Sequence, residues 1–447
     1  MPDIRPFRAW RFDTGRAGEL ASLIAPPYDV ISPEKQRDLY KRSPYNIIRL
    51  ELTAAEPGDP ADNEGEIARH ARARTTLKAW MDDGILKKDN EPALYLYRQA
   101  FSYGGRSYSR QSIVAAVRLS PWSSGQILPH ERTLAKPRAE RLALLRAVSS
   151  NVSPIWALYD DAERHVANGI QTAYDPETFS EQVAVDDEGV EHGISAITAR
   201  LPVDMIRRAL ADQPLFISDG HHRYETALAY RDEALLESGP RDVGPRDFVM
   251  MVLTAADDPG LIVLPTHRLI RNLPASVLNE LPAQLEKLFE VTTMEVPSDP
   301  AELSALIEQL LPAASDSIVD HRFVLLGVNP GQLLLLEPRD ISLAGEPPTP
   351  ELGELDVWLS QAMILEQALG LTAENLEQQT NLFYTRDVQE AAREVAAGTH
   401  QLALFLAPTP VSQLLAVARA RAVMPQKSTY FYPKPATGLT LRVFEAP

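Results

Sequence analysis

Five consecutive residues, Asp219 to Arg223, combine one glycine with three side chains that can carry positive charge. They read D-G-H-H-R, follow the apolar run L-F-I and precede apolar residues at the three- and four-residue spacing of a helix. The N-terminus of a helix carries a partial positive charge and attracts anions. Gly220 would let the backbone approach a ligand, and His221, His222 and Arg223 would donate hydrogen bonds to it. The stretch therefore predicts a phosphate-binding turn, with a purely structural turn as the alternative.

A second candidate is the pair His130-Glu131 in the segment L-P-H-E-R-T. A carboxylate beside a phosphate pocket can act as the general base for a hydroxyl nucleophile, although many such pairs are surface residues. Two further segments have side chains suited to a substrate: L-P-T-H-R-L-I, with His267, and M-P-Q-K-S-T-Y-F-Y-P-K-P, with Lys427 to Thr429. The first segment is at least equally compatible with a strand end that exposes polar groups, and the second is equally compatible with a strand that crosses the core and has solvated lysines.

Composition restricts the classes of function. The 447 residues include no cysteine, which excludes disulfides, thiolate zinc sites and a cysteine nucleophile. The net charge of -17 disfavours binding to a nucleic-acid backbone. No apolar stretch approaches the roughly 18–20 residues of a membrane span. We expect a cytoplasmic protein that binds small molecules and neither nucleic acid nor a membrane.

The elements that must position these residues alternate along the chain. Ser32 before Pro33 predicts a helix N-terminus, Gly104-Gly105 predicts the turn of a hairpin over residues 93–119, and residues 46–52 are typical of a strand. Further helices are expected at about 66–82, 137–148, 203–211, 276–289, 301–312, 354–368, 387–397 and 411–421, and strands at about 154–159, 182–186, 248–270 (two strands), 322–328, 332–336 and 402–406. This alternation predicts a mixed α/β fold, without indicating the strand order.

Three motifs occur in the order known from one superfamily. I-S-D-G-H-H-R-Y-E-T-A-L resembles the phosphate-binding turn of the ParB/sulfiredoxin-like superfamily, and most closely that of the free L-serine kinases. L-P-H-E-R-T is similar to the P-H-E segment that precedes this turn in the kinases, and M-P-Q-K-S-T is similar to their later S-P-K-T-T segment. The whole chain, including A-P-P-Y-D-V-I-S and L-P-T-H-R-L-I, resembles a widespread bacterial and archaeal family of unknown function.

The resemblance implies a division into three domains. A ParB/sulfiredoxin-like, phosphate-binding core is expected over residues 123–272, with an insertion at about 150–210. An N-terminal α/β extension would occupy residues 1–122, and a C-terminal α/β domain over residues 273–447 would contribute a segment of the substrate site.

The resemblance also implies roles for individual residues. Glu131, next to His130, would be the catalytic general base, and Asp219 to Arg223 would hold the nucleotide phosphates. Lys427 to Thr429, with His267, would contact the acceptor. The implied reaction transfers a phosphoryl group from ADP or ATP, with Mg²⁺, to the hydroxyl of free L-serine or a related metabolite.

Two other functions fit the same turn. A nucleotide-binding sensor without catalysis would bind nucleotide and form no product, while a phosphatase or other hydrolase would replace the serine hydroxyl by water. The segment L-P-T-H-R-L-I also lacks the tryptophan that the kinases carry there. The sequence therefore leaves the acceptor open.

Overall fold

The computed structural model describes residues 2–131, 135–174, 181–239, 242–311, 320–372, 374–375 and 380–444. These residues form two compact units. Unit 1 comprises the described residues within Met1–Pro129, Thr133–Ile262 and Pro433–Pro447, and unit 2 comprises those within His130–Arg132 and Val263–Tyr432. The segments near both chain ends thus belong to unit 1. The three domains expected from the resemblance stay a prediction.

Unit 1 is built around a mixed sheet. The strands of the unit, most of which belong to this sheet, are β1 (Ile4–Arg5), β2 (Trp10–Phe12), β3 (Leu86–Lys88), β4 (Leu94–Tyr103), β5 (Arg106–Arg118), β6 (Ile127–Leu128), β7 (Ser150–Asn151), β8 (Ile155–Tyr159), β9 (Gln182–Val185), β10 (Glu191–Ile197), β11 (Leu215–Asp219), β12 (Phe248–Ala255) and β21 (Arg442–Val443). The main sheet has nine strands in the order β6-β11-β8-β12-β5-β4-β10-β9, and β1 also pairs with β5. Strand β11 is parallel to β6 and β12 is parallel to β8, whereas the other pairs are antiparallel.

The helices of unit 1 pack around this sheet. They are α1 (Thr14–Ala17), α2 (Leu20–Leu23), α3 (Pro33–Arg42), α4 (Ile48–Glu51), α5 (Asn63–Asp82), α6 (Ala135–Val148), α7 (His165–Ala173), α8 (Arg200–Ala211) and α9 (His221–Ser238). All five residues of β8 are buried, and so are the first seven of β12. This matches continuous apolar strands that are covered on both faces. Ile206 on α8 and Tyr224 on α9 belong to the same apolar core as these strands.

Unit 2 contains an antiparallel sheet. Its strands are β13 (Ile262–Leu264, which begins at the last residue of unit 1), β14 (His267–Ile270), β15 (Phe289–Glu295), β16 (Phe323–Leu326), β17 (Gln332–Pro338), β18 (Leu382–Thr385), β19 (Leu402–Phe405) and β20 (Tyr430–Tyr432). Six of them pair in the order β15-β17-β16-β19-β14-β18, and β13 pairs with β20. The helices are α10 (Ala275–Leu288), α11 (Pro300–Leu310), α12 (Pro350–Gly353), α13 (Asp356–Leu359), the π-helix Ser360–Ala368 that continues it, α14 (Val388–Ala396) and α15 (Val411–Arg419). Leu303 and Ile307 on α11 pack with Val324 and Phe405 in the core of unit 2.

The mixed α/β fold predicted from the sequence is confirmed. The Ser32 side chain accepts a hydrogen bond from the N–H of Lys35 and caps α3, and Gly104 and Gly105 adopt the positive φ values expected of the β4–β5 turn. The predicted helices are present, although the last residue expected of the helix at 301–312 lies outside the described residues.

The strand expected at residues 46–52 is wrong, because the chain forms helix α4 there. The Asn46 side chain donates to the backbone oxygens of Ser22 and Ile24 and accepts from the N–H of Ile48. Such local bonds between an Asn side chain and the backbone favour a helical turn over an extended strand.

Candidate functional site

The D-G-H-H-R turn lies in unit 1 and joins strand β11 directly to helix α9. Gly220 adopts φ 93° and ψ 28°, and its carbonyl accepts the first helical hydrogen bond, from the N–H of Tyr224. A Cβ at this position would lie 2.9 Å from Nε of Arg223. Both the left-handed backbone and the close guanidinium therefore require glycine. The turn places a helix N-terminus directly after the end of a strand, and helix N-termini in such positions can bind anions.

Tyr224 fixes helix α9 directly after the turn. Its hydroxyl accepts from the N–H of Ser120 at 3.0 Å and donates to the Ser120 carbonyl at 2.8 Å. Its ring stacks on Trp122 with 4.5 Å between centroids. Since Tyr224 is fully buried, these contacts hold the helix N-terminus in one position.

A chain of ion pairs surrounds Asp219. Its carboxylate pairs with Arg223, which also donates to the carbonyl of Pro154, and with the ammonium of Lys434 at 2.6 Å. Lys434 in turn pairs with Asp29. Residues near both chain ends therefore meet at the turn. Arg223, which we expected to serve a phosphate, is thus paired with a carboxylate of the same turn.

The electrostatics of these groups follow from burial and pairing. Burial opposes the charged form of Lys434, but Asp219 and Asp29 raise the pKa of its ammonium above the ordinary value. Burial likewise opposes the charge on Arg223, while Asp219, Tyr28 and Asp29 raise the pKa of its guanidinium. Both side chains therefore carry a positive charge in the folded protein.

Replacing Gly220 by alanine is expected to damage the turn specifically. A non-glycine residue in left-handed backbone costs roughly 1–2 kcal/mol, and the new methyl group would also press on Arg223 at 2.9 Å. We expect G220A to lower the free energy of unfolding by about 2 kcal/mol or more, and to weaken nucleotide binding, as measured by urea denaturation and calorimetry.

Gly104 supplies the matched control for this substitution. It has φ 56°, and no atom lies within 4 Å of an added Cβ. G104A should show the backbone cost alone and leave nucleotide binding unchanged. Equal losses of stability and unchanged binding in both variants would contradict a specific role for the turn.

A buried carboxylate lies close to the turn in the same unit. Glu51, at the end of α4, is 3% exposed; its Oε1 accepts from the hydroxyl of Ser153 at 2.9 Å and lies 3.6 Å from the Arg141 guanidinium. Burial raises the pKa of Glu51, and the charges of Arg141 and Arg223 partly offset this rise. Arg141 also lies over the ring of Tyr28, 4.2 Å from its centroid. The sequence drew attention to none of these contacts.

In unit 2 the structure brings two of the predicted segments together. The Glu131 carboxylate accepts a hydrogen bond from the backbone N–H of Lys427 at 2.7 Å. Nε2 of His130 lies 3.1 Å from Oγ1 of Thr429, and the His130 carbonyl accepts from the N–H of Met424 at 2.8 Å. The P-H-E segment and the K-S-T segment are therefore neighbours in space, although nearly 300 residues separate them.

The three residues of the K-S-T segment have different environments. Lys427 has an exposed side chain and a left-handed backbone with φ 55°. Ser428 is buried and donates from its hydroxyl to the carbonyl of Pro425 at 2.6 Å. Lys427 and Thr429 are therefore better placed than Ser428 to contact a ligand. The substrate-binding roles of all three stay a prediction.

His267 and Arg268 begin strand β14 in the interior of unit 2. The His267 ring is 2% exposed, packs edge-on against Phe405 with centroids 5.1 Å apart, and accepts from the N–H of Leu406. Burial lowers the pKa of the Arg268 guanidinium to about 10, and the nearby Tyr384 and Glu131 partly offset this effect. A role of His267 in substrate binding stays a prediction, whereas its packing role is evident.

Acidification is expected to destabilise the folded protein through His267. Burial lowers the pKa of this imidazole from 6.5 to about 4, so the folded protein holds it neutral. The stabilisation from this neutral ring is complete above pH 6.5 and is lost as the pH falls toward 4, at most on the order of 3 kcal/mol. Urea denaturation of H267Q between pH 7 and pH 4 should therefore show a shallower fall than the wild type.

The exposed His165 provides the control for this titration. H165Q should follow the wild-type dependence on pH. Parallel curves for wild type and H267Q would contradict a titrating role for the buried ring.

The predicted site residues fall in both units. Asp219 to Arg223 lie in unit 1, while His130, Glu131, His267 and Lys427 to Thr429 lie in unit 2. Sequence reasoning missed the partners that balance these groups: Tyr28, Asp29, Glu51, Arg141, Tyr384 and Lys434. The available signals were A-P-P-Y-D-V, which contains Tyr28 and Asp29, and Lys434, the second lysine of the segment M-P-Q-K-S-T-Y-F-Y-P-K-P.

Similarity to known proteins places the chain in a family. Residues 4–358 match the family described as "Protein of unknown function (DUF1015)". The chain belongs to the DUF1015 family. This confirms the resemblance to a family of unknown function. No curated protein matches the sequence.

Several solved structures are similar to this DUF1015 chain, with low sequence identity and low TM-scores. A free serine kinase in complex with AMP is 13% identical, with 74% of this chain and 91% of the kinase covered and a TM-score of 0.35. A conserved hypothetical protein from Pyrococcus furiosus is 13% identical, with 74% of this chain and 95% of that protein covered and a TM-score of 0.35. C-terminally truncated SbnI from Staphylococcus aureus is 10% identical, with 74% of this chain and 87% of SbnI covered and a TM-score of 0.32. At these values the similarity carries no argument about ligands or activity.

Two observations on the DUF1015 chain concern metals and membranes. Among the residues that the structure describes, no three His, Asp or Glu side chains cluster in a way that could hold a metal ion. Likewise, none of the described helices is long and apolar enough to cross a membrane.

Proposed function

We propose that this DUF1015 protein is a small-molecule kinase that transfers a phosphoryl group from ADP or ATP to the hydroxyl of free L-serine or a related metabolite. The observation that carries the proposal is the construction of the D-G-H-H-R turn. Gly220 joins a strand to a helix N-terminus, and two cations, Arg223 and Lys434, lie against Asp219 beside it. A helix N-terminus with nearby cations suits the phosphates of a nucleotide.

The proposed general base is Glu131. A carboxylate that accepts the proton of a hydroxyl needs an ionised oxygen held in a fixed position. The hydrogen bond from the Lys427 N–H holds one Glu131 oxygen in a fixed position. Lys427 and Thr429 belong to the segment beside Glu131, and their contact with the acceptor stays a prediction from the sequence.

Mg²⁺ is the expected cofactor of this reaction. Mg²⁺ sites in phosphoryl-transfer enzymes commonly use one or two protein carboxylates together with nucleotide phosphates and water. Asp219 and Asp29 are the carboxylates beside the turn that would serve as such ligands, and in this structure both are paired with the ammonium of Lys434. Bound with the nucleotide, Mg²⁺ would neutralise charge on the transferred phosphoryl group.

The test is product formation by the purified protein. Incubation with L-serine, Mg²⁺ and either ADP or ATP should yield phosphoserine, detected by mass spectrometry. If no phosphorylated product forms from L-serine or from a broad panel of hydroxylated metabolites with either donor, the kinase proposal is wrong. Release of inorganic phosphate without an acceptor would instead indicate a hydrolase, and saturable nucleotide binding without any product would indicate a sensor.

A further inference from the structure

Two cavities in unit 1 meet at the buried pair Glu51–Arg141. The smaller, of about 50 Å³, is also lined by Arg223 of the phosphate turn and by Ser150. The larger is a cleft of about 260 Å³ beside the N-terminus of α3 and the middle of α5. Glu51 and Arg141 line both spaces. The pair therefore connects the surroundings of the turn to a cleft large enough for a small metabolite.

The smaller cavity has a mainly apolar lining that includes a few polar groups, two of which lack hydrogen-bond partners. The Ser150 hydroxyl and Nε of Arg223 are buried and have no hydrogen-bond partner among the described residues. Ser150 is 3% exposed, so bulk water does not reach it. A space of about 50 Å³ holds roughly three to five water-sized groups at about 10–15 Å³ each. These two atoms therefore offer hydrogen bonds to water or to the polar end of a ligand inside the cavity.

The larger cleft carries charges of both signs. Its cations are Arg69 and Arg141, and its anions are Glu51 and Glu140. Burial and the charge of Arg141 lower the pKa of the lining His70, so its ring is neutral near pH 7. The balanced charges suit a molecule with one positive and one negative group, and disfavour a multiply charged anion such as a free nucleotide.

Arg69 is the cation that can best turn toward a ligand. Its ionic contact with Glu66 is long, at 4.0 Å, and a quarter of its side chain is exposed. Arg141, in contrast, already donates to the Glu51 carbonyl at 2.9 Å and to Glu140 at 3.1 Å. Arg69 would thus bind a carboxylate, while Glu51 would face an ammonium group.

The Glu51–Arg141 pair is not explained by stability alone. The side chains of Glu51 and Arg141 are only 3% and 7% exposed, so removing their charges from water costs a large desolvation free energy. The Coulomb attraction within such a pair seldom exceeds that cost. Nη1 of Arg141 and Oε1 of Glu51 are 3.6 Å apart, so the pair is weaker than a short, hydrogen-bonded ion pair. A buried pair between two cavities is more useful for recognising a ligand than for stabilising the fold.

We infer that the cleft lined by Glu51, Arg69 and Arg141 binds a free amino acid, and that this amino acid is the phosphoryl acceptor. The inference rests on the proposed kinase function and moves the acceptor site from Lys427 to Thr429 into unit 1, which also contains the phosphate turn. The α-carboxylate is held by Arg69 and the α-ammonium by Glu51, and the cavity toward Arg223 receives the side-chain hydroxyl.

The experiment measures L-serine binding to the full-length protein by calorimetry, with ADP and Mg²⁺ present, and the KM for L-serine where turnover is observed. E51Q keeps an acceptor for the Ser153 hydroxyl and removes the charge; R69Q changes a partly exposed side chain and serves if E51Q does not fold. Each should weaken L-serine binding about tenfold or more, with nucleotide affinity within twofold of wild type.

Arg74, an exposed residue on the same helix as Arg69, gives the matched control R74Q, which should bind L-serine like the wild type. The inference is overturned if wild-type protein does not bind L-serine, or if folded E51Q or R69Q binds it normally. Weaker binding in K427A together with unchanged binding in R69Q would place the acceptor in unit 2 instead.

Failure of the kinase proposal can be separated from failure of this inference. Phosphoserine formation with unchanged KM in E51Q and R69Q would support the kinase and reject the cleft. L-serine binding that both variants lose, without phosphoserine from the wild type, would support the cleft and reject the kinase.

Discussion

Substituting Glu131 by glutamine is expected to lower phosphoserine formation by roughly 10²–10⁴-fold, the usual contribution of a general base. The glutamine oxygen can still accept the Lys427 N–H that Glu131 now accepts at 2.7 Å, so local structure should persist. Only the negative charge, and with it the ability to take a proton, is lost. Single-turnover assays with saturating L-serine and nucleotide would measure the chemical step, and calorimetry should show unchanged nucleotide affinity.

Glu290 offers a control in the same unit. Its side chain is 72% exposed and lies 3.7 Å from Arg339. E290Q should retain wild-type turnover, because an exposed pair of this kind has little influence beyond its own neighbours. Turnover in E131Q within tenfold of the wild type would remove Glu131 from the role of base.

Replacing Lys434 by methionine is expected to be the most destabilising change near the turn. The ammonium is bonded to both Asp219 and Asp29, and its side chain is 9% exposed. Methionine fills similar space but leaves two carboxylates facing each other with no ammonium between them. Breaking a buried pair by removing one partner costs about 3–5 kcal/mol, and we expect a loss of that size in urea denaturation at pH 7.

The stability lost in K434M should depend on the two carboxylates that the ammonium contacts, those of Asp29 and Asp219. K434M/D29N should recover part of the stability at pH 7. The exposed pair Lys78–Asp82 gives the control, and K78M should change stability little. A K434M variant as stable as K78M would show that the network contributes nothing to the fold.

Much of the architecture was predictable because local patterns determine it. The Gly104-Gly105 turn, the Ser32 cap and the apolar strands β8 and β12 each depend on a few neighbouring residues. Strands β10, β15 and β18 are among those that were missed. β15 and β18 lie at the edges of the sheet in unit 2, whereas β10 lies between β4 and β9. All three mix polar with apolar residues, so none shows a continuous apolar run.

The candidate site was predictable only where a motif is contiguous. The glycine and the helix start at Asp219 to Arg223 follow from five adjacent residues, and both have the expected geometry. The partners of these residues cannot be predicted from adjacent residues. Asp29 and Lys434 reach Asp219 from opposite ends of the chain, and Glu51 belongs to a segment expected to be a strand. Ion pairs of this kind depend on the tertiary fold, and the spacing of residues along the sequence does not predict them.

The return of the last segment to unit 1 has a consequence for biosynthesis. Residues after Tyr432 pair with Asn151, Trp10 and Ala25, and Lys434 closes the charge network at the turn. A ribosome makes the chain from its N-terminus, so Lys434 is joined more than 200 residues after Asp219. The ion pairs at the D-G-H-H-R turn can therefore form completely only after the residues of unit 2 have been synthesised.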